Sequence, residues 1–575
     1  MARLDPHSYA DSEQPQTRSI ELQAVVDFAV HVVRSEVVLH FREAAPAGPI
    51  DLDTRDLEID TVVGLDREPL AWELASPEPI LGSRLRIALP SGAFGVRIRC
   101  SSSPSAMALQ WLDAAQTASG KPFLFTQCQP IHARSILPLQ DTPRVRITID
   151  KARFEVPSDL RALMAGAALD GSAGSSTFAM PQPIPPYLFA FAVGDLVERP
   201  ISKRCSVWAE RPVADAAAFE LADVEKTLLA AEQLFGPYDW DRADLLVMPP
   251  SFPYGGMENP RLTFVTPSLL AGDKSLVNVV AHELAHAWTG NLVTNANANH
   301  FWLNEGFTVY AERRILEAMH GRETSELHAA IGRHDLEDAL ARFSARPELT
   351  SLRTDLRGLH PDDAYSSVPY EKGYFFLRRL EEEAGRPAWD GFLRTYLRRF
   401  RFQSIDTNDF LATLLELLPG LAARVDAARW IDGPGLPPDA PVPVSVRLTE
   451  LQRLGRTGTL PGLLAPTELL VYLQALPQPA EVKLLAALDA QFGLSVRKSL
   501  ELRHTFVLAQ LRARLPEAVE GMRRVVSETG RMKYLKPLYA ELARRDVAAA
   551  KRIYADYRAG YHPIAREVIE GMLGN

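Results

Sequence analysis

Apolar and polar residues alternate with a period of two in several stretches of the first two hundred positions. Leu85-Arg86-Ile87-Ala88-Leu89, Val96-Arg97-Ile98-Arg99-Cys100 and Val145-Arg146-Ile147-Thr148-Ile149 each put every second side chain on one face, the pattern of half-buried strands. After about Ser206 the spacing changes to three and four. Ala216 to Phe235 reads as one long helix, followed by the short strand Leu245-Leu246-Val247 and two more helices. The first of these has Ser275 as a cap, Leu276, Val277, Val279 and Val280 as its apolar body, and Gly290 to end it. The second continues from Asn304-Glu305-Gly306 to about Gly321. Gly433 to Pro443 is too rich in proline and glycine to continue any element, which predicts a semi-rigid linker. Beyond about Thr467 nearly everything is helical, with short breaks and no fixed-period repeat, as expected of stacked helix pairs.

These changes of period predict a multidomain α+β protein: a β-sheet domain over 1–205, a mixed but mainly helical domain over 206–432, a linker and lead-in over 433–466, and a helical domain over 467–575. A chain of 575 residues is too long for one core, which agrees. Charged residues at 23% and hydrophobic ones at 46% leave no room for a dominant disordered tail. The net charge of −9 gives no attraction to phosphate backbones or anionic membranes, so nucleic acid is not an expected partner. Met1 to Gln16 lacks an apolar signal core, and no run of eighteen apolar residues follows, so a cytoplasmic protein without a membrane segment is expected. Cys100, Cys128 and Cys205 are odd in number and far apart, which predicts buried free thiols.

The candidate chemistry lies on the two helices after residue 275. In His282-Glu283-Leu284-Ala285-His286 the imidazoles are four apart and share one helix face, so both reach a single ion. Catalytic zinc takes three protein ligands and keeps one position open, and Glu305, nineteen positions on, supplies the third. Glu283 then stands beside the ion as a base. Glu312, two turns beyond Glu305, returns to the same face, where its carboxylate can accept the free ring N–H of a zinc histidine.

With these residues and Pro253-Tyr254-Gly255-Gly256-Met257-Glu258-Asn259-Pro260, the chain resembles the gluzincin aminopeptidases. The resemblance runs from about residue 20 to the C-terminus and is densest between Ser251 and Glu312. It implies an N-terminal β-sheet domain, a thermolysin-like catalytic domain and a C-terminal helical domain. It also implies that Gly255, Gly256, Met257, Glu258 and Asn259 form an edge strand lining the cleft, with Glu258 on the substrate α-ammonium. Asp362, Tyr365, Ser366, Ser367, Val368, Pro369, Tyr370, Glu371, Lys372 and Gly373 match the leukotriene A4 hydrolase branch of that family, in which Tyr370 corresponds to the catalytic tyrosine. Gln129 in Thr126-Gln127-Cys128-Gln129 matches a residue that helps hold the substrate amine. Pro183-Ile184-Pro185 with Tyr187-Leu188 matches the same branch. In Gly530-Arg531-Met532-Lys533, Arg531 and Lys533 match a cationic pair that captures a substrate carboxylate. Pro130 and Phe307 depart from the animal enzymes, each placed to reshape the pocket, and a bacterial homologue of the branch is expected.

The expected function is hydrolysis of N-terminal residues from short peptides with a free N-terminus, using one zinc ion per chain, and a monomer is expected. Glu283 would take a proton from a zinc-activated water and pass it to the leaving amine, while Tyr370 donates to the oxyanion. Three alternatives stand beside it. A thermolysin-like endopeptidase would share the zinc ligands but has no use for Glu258 in its glycine-rich setting. A lipid epoxide hydrolase is implied by the match of Asp362 and Tyr365. A non-catalytic peptide-binding scaffold would have lost a ligand or the base, and neither is missing.

Overall fold

The computed structural model describes residues 3–172, 174–275 and 277–574, without the side chain of Val277, so the expected roles of Leu276 and Val277 in the first zinc helix lie outside the described residues.

The alternating segments of the first two hundred residues form sheets. Ser83–Leu89 and Ala93–Ser101 bury Leu85, Ile87, Leu89, Val96, Ile98 and Cys100 and turn the intervening residues outward. A seven-stranded sheet runs in the order Ala167–Ser172, Ser175–Ile184, Ile147–Glu155, Thr17–Asp27, Val32–Ala45, Ala93–Ser101 and Glu58–Gly64. Its only parallel pair is Thr17–Asp27 with Ile147–Glu155. A three-stranded and a four-stranded sheet complete this part of the chain. All three cysteines are free and buried.

The strand expected at Val145 begins at Ile147, because Arg146 leaves the pattern. Its side chain reaches out of the β domain and donates to the carbonyls of Pro183, Asn291, Leu292 and Gln403 and to Ser404 Oγ. Three of those carbonyls flank the short parallel ladder between Val293–Asn295 and Gln403–Ile405 in the next part of the chain. A buried guanidinium thus fastens the β domain to the helical region that carries the metal site.

That region opens with a mixed five-stranded sheet in the order Leu196–Pro200, Ser206–Glu210, Asp244–Val247, Leu262–Val265 and Gly256–Met257, the last an antiparallel edge strand. The single helix expected from Ala216 to Phe235 is two, Ala214–Glu220 and Val224–Phe235. The break has a local cause. Glu220 turns its carboxylate to the backbone N–H groups of Gly272 and Lys274, and the Asp223 carbonyl accepts from Lys226 and Thr227 to start a new turn. The first zinc helix spans Val277–Ala285, and Ser275 Oγ makes no hydrogen bond among the described residues, so no cap is formed there by that hydroxyl. The second spans Trp302–His320, so Glu305 sits inside its first turn and not in a turn before it.

Phe307 is not a pocket residue. It stacks on Tyr396 at 5.1 Å and meets Phe410 edge-on, fixing the start of the Trp302–His320 helix in the core. From Gly433 to Val444 the chain has no regular element, although it stays pinned: Gly433 O accepts from Lys372 Nζ, Gly435 N donates to Thr350 Oγ1 and Val444 N to Glu326. A helix, Val446–Thr457, capped by Ser445, already lies within the expected lead-in. Seven more helices follow, from Pro466–Gln474 to Pro563–Leu573. Among the described residues no helix is long and apolar enough to cross a membrane.

Candidate metal centre and substrate cleft

The metal centre is built where the Val277–Ala285 and Trp302–His320 helices pack together. Past Ala285 the first helix tightens, and Gly290, at φ 140°, turns the chain away. A Cβ on Gly290 would lie 2.6 Å from His286 Nδ1 and 2.4 Å from Asn304 Oδ1, so this close turn admits only glycine. His282 Nε2 and His286 Nε2 stand 3.2 Å apart, and Glu305 Oε2 is 3.5 Å from each. Glu312 Oε2 is 3.1 Å from His282 Nδ1, and Thr308 Oγ1 is 3.2 Å from His286 Nδ1. With Nδ1 protonated, each ring points its N–H outward and its Nε2 lone pair inward.

This donor set fits zinc. A tetrahedral ion with bonds of about 2.0–2.1 Å needs donors about 3.3 Å apart, close to the three separations observed. Glu305 Oε2 is buried with no hydrogen-bond partner among the described residues, which is costly unless a cation meets it. Thr308 was not legible as a partner in the sequence, although it lies on the ligand face one turn beyond Asn304.

Glu283 is buried beside this set, and burial pushes its carboxyl up to about 8, with His282 opposing and Glu258 and Glu305 adding repulsion. Its carboxylate rests on the backbone of the edge strand. A Cβ on Gly256 would sit 2.2 Å from Glu283 Oε1, and one on Gly255 would sit 2.9 Å from an Arg531 guanidinium nitrogen. Both glycines therefore make room for functional side chains as well as exposing backbone. Of the edge strand expected over Gly255–Asn259 only Gly256–Met257 pairs; Met257 Sδ accepts from Gln127 Nε2, and Asn259 is buried two residues beyond the strand.

Glu258 is buried and accepts from Gln129 Nε2 at 3.1 Å. Burial holds its pKa above the usual carboxylate value, and among the described residues no lysine or arginine pairs with it. Tyr370 lies in a π-helical turn, Val368–Lys372, that leads into the Gly373–Ala384 helix. Its ring faces that of His282 at 6.2 Å and 19°, and its hydroxyl donates to Tyr365 OH at 3.2 Å. Burial first, then the Glu305 charge, drives the phenol pKa well above its usual value, so the group stays a donor. Two glycines bring it there. A Cβ on Gly306 would be 2.8 Å from Gly373 Cα, and one on Gly373 2.7 Å from Gly306 Cα, so the helices cross backbone to backbone one residue after Glu305.

Asp362 and Tyr365 lie in and beside the 3-10 turn Pro361–Ala364, and both are largely exposed. Asp362 is not part of the zinc set. Its Oδ2 is 3.0 Å from His132 Nε2. Arg531 is buried, at the cap position of the Met532–Ala543 helix, and donates to Ser268 Oγ at 2.9 Å and Tyr534 OH at 3.3 Å, without a carboxylate partner among the described residues. Lys533 is half-exposed and already paired with Glu501 at 2.8 Å. Ser268 and Glu501 come from distant segments, and nothing in their local sequence marks them, whereas Tyr534 lies three residues beyond Arg531 in the first turn of the same helix. A small cavity of about 70 Å³ opens beside Arg531, Lys533, Glu501 and His328.

Residues 219–429 match the model of the peptidase family M1 domain, and 464–573 that of the leukotriene A4 hydrolase C-terminal domain. A leucine aminopeptidase 2 of Aspergillus niger is 38% identical over 557 residues, covering 91% of this chain and 90% of its own. The chain belongs to peptidase family M1. It is accordingly a zinc metallo-aminopeptidase with the three-part architecture expected. Leucine aminopeptidase 2 of Neurospora crassa is 35% identical over 99% of this chain and 90% of its own. A yeast leukotriene A4 hydrolase solved with bestatin superposes with a TM-score of 0.93 at 32% identity, over 99% of this chain and 97% of that one. An M1 zinc metallopeptidase of Deinococcus radiodurans, at 20% identity and a TM-score of 0.60 over 76% of this chain and 98% of its own, shares the fold. These two relatives by sequence are fungal and lend no support to the expected bacterial source.

Proposed function

We propose that this M1 enzyme removes single residues from the free N-terminus of short peptides. The observation that carries this reading is Glu258, a buried carboxylate beside the metal set whose partners among the described residues are neutral. An α-ammonium is the cation that such a group lacks, and a charge fixed there confines cleavage to the first peptide bond. When bound by His282, His286 and Glu305, zinc supplies Lewis acidity that polarises the carbonyl and makes water nucleophilic near neutral pH. Glu283 takes the water proton and returns it to the leaving amine. Tyr370 donates to the carbonyl oxygen as charge develops on it, and Gln129 orients Glu258. Arg531, buried and without a directly paired carboxylate among the described residues, is the group suited to the far carboxylate of a short peptide, with Lys533 held back by Glu501.

The test compares one short peptide in free and N-acetylated form. The free peptide is expected to be cleaved and the blocked one resisted, and Glu258→Ala is expected to cost about 2–5 kcal/mol of substrate or transition-state binding. Equal cleavage of both peptides would hand the site to an endopeptidase. A second activity, hydrolysis of a lipid epoxide, draws support from the likeness to yeast leukotriene A4 hydrolase and from Asp362 and Tyr365 in and beside the Pro361–Ala364 turn, where Tyr365 OH accepts from Tyr370 OH. Incubation with a lipid epoxide and analysis of the diol decides it. The domain limits at 205, 432 and 466, a cytoplasmic location and a monomeric state belong to the same proposal.

A further inference from the structure

Tyr370 stands in the π-helical turn Val368–Lys372, an element that is rare and recurs at functional sites. The two residues after it, Glu371 and Lys372, both turn charged groups into the interior. Lys372 Nζ donates to Thr350 O at 2.9 Å and to Gly433 O at 2.7 Å. The Glu371 carboxylate meets Arg313 Nη2, which is 2.9 Å from Oε1 and 2.8 Å from Oε2. The turn is thus fastened by two inward charges directly beyond the tyrosine.

Arg313 belongs to the helix that carries Glu305, and it follows Glu312 directly. Glu312 faces His282 while Arg313 faces Glu371, so a single backbone step joins the partner of a zinc ligand to the anchor of the turn. The guanidinium is buried, donates to His328 O at 3.2 Å and lies 3.9 Å over the ring of Tyr374, one turn beyond Tyr370. The Arg322–Arg342 helix covers the pair from a third side. A Cβ on Gly332 would overlap both Arg313 Nη2 and Glu371 Oε2, so bare backbone rests on them. Burial raises the Glu371 carboxyl and the Arg313 charge opposes that rise. A buried pair of this kind contributes little net stability, because desolvation offsets attraction, and its effect is on position.

The geometry points to Glu371 and Arg313 as positioning residues for peptide hydrolysis, a bridge that fixes the Tyr370 phenol against the zinc ligands. This rests on Tyr370 as the donor to the oxyanion. A continuous path runs from His282 through Glu312, Arg313 and Glu371 to Tyr370, and it closes where the Tyr370 ring faces that of His282 at 6.2 Å. Loosening the bridge lets the hydroxyl drift from the place where negative charge develops, and a displacement of about 1 Å costs about 10²-fold in rate. Substrate binding is unaffected, since neither residue is placed on the substrate.

The experiment is a double-mutant cycle between Tyr370→Phe and Glu371→Gln, with kcat and KM for an aminoacyl amide, bound zinc and Tm measured on each protein. Glu371→Gln is expected to keep one zinc per chain and its KM, and to lower kcat about 10–100-fold. In the Tyr370→Phe background the same substitution should cost less than about twofold, because the hydroxyl it positions is gone. A merely structural role lowers kcat by the same factor in both backgrounds, and that result overturns the proposal. Full kcat in Tyr370→Phe alone overturns the oxyanion role and this inference with it, and the single variant shows which reading has failed. Glu371→Gln leaves Arg313 buried without its partner, so Arg313→Met combined with Glu371→Leu is the second probe. Replacing both partners is expected to leave zinc content and Tm close to those of the unmutated protein while kcat still falls about 10–100-fold. Full activity in that uncharged variant would likewise overturn the proposal.

Discussion

At the residue scale, the site separates groups that hold a metal from groups that act beside it. Glu283 is no closer to being a ligand than its contact with Gly256 allows, so Glu283→Gln is expected to keep one zinc per chain and lose about 10²–10⁴ in kcat. Metal analysis beside turnover checks this, and loss of zinc with activity would reassign the residue. Tyr370→Phe removes a donor that matters only as the oxyanion forms, so kcat should fall by about 10²–10³ with KM little changed. A raised KM at unchanged kcat would make Tyr370 a binding residue. The meeting of His282 and His286 was readable because helix geometry converts a spacing of four into a shared face. The partners Ser268 and Glu501 of Arg531 and Lys533 were not, because they meet them only through tertiary packing.

At the scale of elements, two helices must cross within van der Waals contact of their backbones to put Tyr370 opposite His282. Gly373→Ala inserts a methyl 2.7 Å from Gly306 Cα, which calls for a shift of the crossing. Overpacking of this kind costs about 1–3 kcal/mol, and the displaced tyrosine should lower kcat as well. Thermal unfolding and kinetics of one variant test both effects. The sequence displayed both glycines within recognisable motifs, but their mutual contact depends on how the helices dock. The pair formed by the Leu500–Arg512 and Met532–Ala543 helices has its own pH signature. Burial would raise the Glu501 carboxyl, yet Lys533 and Arg531 outweigh it and hold it at about 2. An unfolded chain titrates this group near 4.3. Its contribution, on the order of 3 kcal/mol, is therefore complete above about pH 4.5 and is lost as pH falls toward 2. Glu501→Gln should flatten that acid limb in an unfolding series. An acid limb identical to that of the unmutated protein would show the carboxylate to be unimportant there.

For the whole molecule, the period change near residue 206 was enough to foresee sheets followed by helices, whereas the bonds that join them were hidden. Arg146 sits in an alternating run that looks like an ordinary strand, and its side chain instead satisfies one carbonyl of its own domain and three carbonyls and a hydroxyl across the junction. Burial lowers its pKa to about 10, which leaves it charged at neutral pH. Arg146→Met would strand those acceptors, at about 1–3 kcal/mol for each one that water does not reach. A marked fall in Tm, with the β domain and the catalytic region melting separately, is the expected calorimetric result, and an unchanged single transition would refute it. The C-terminal helices join the cleft in a different way. Gly530 N donates to Pro250 O and Met532 N to Pro253 O, which seats Arg531 against Gly255 just upstream of Glu258. On the ribosome the zinc helices emerge and can close on their ion long before this segment is made. The far wall of the cleft is therefore the last part of the site to be synthesised.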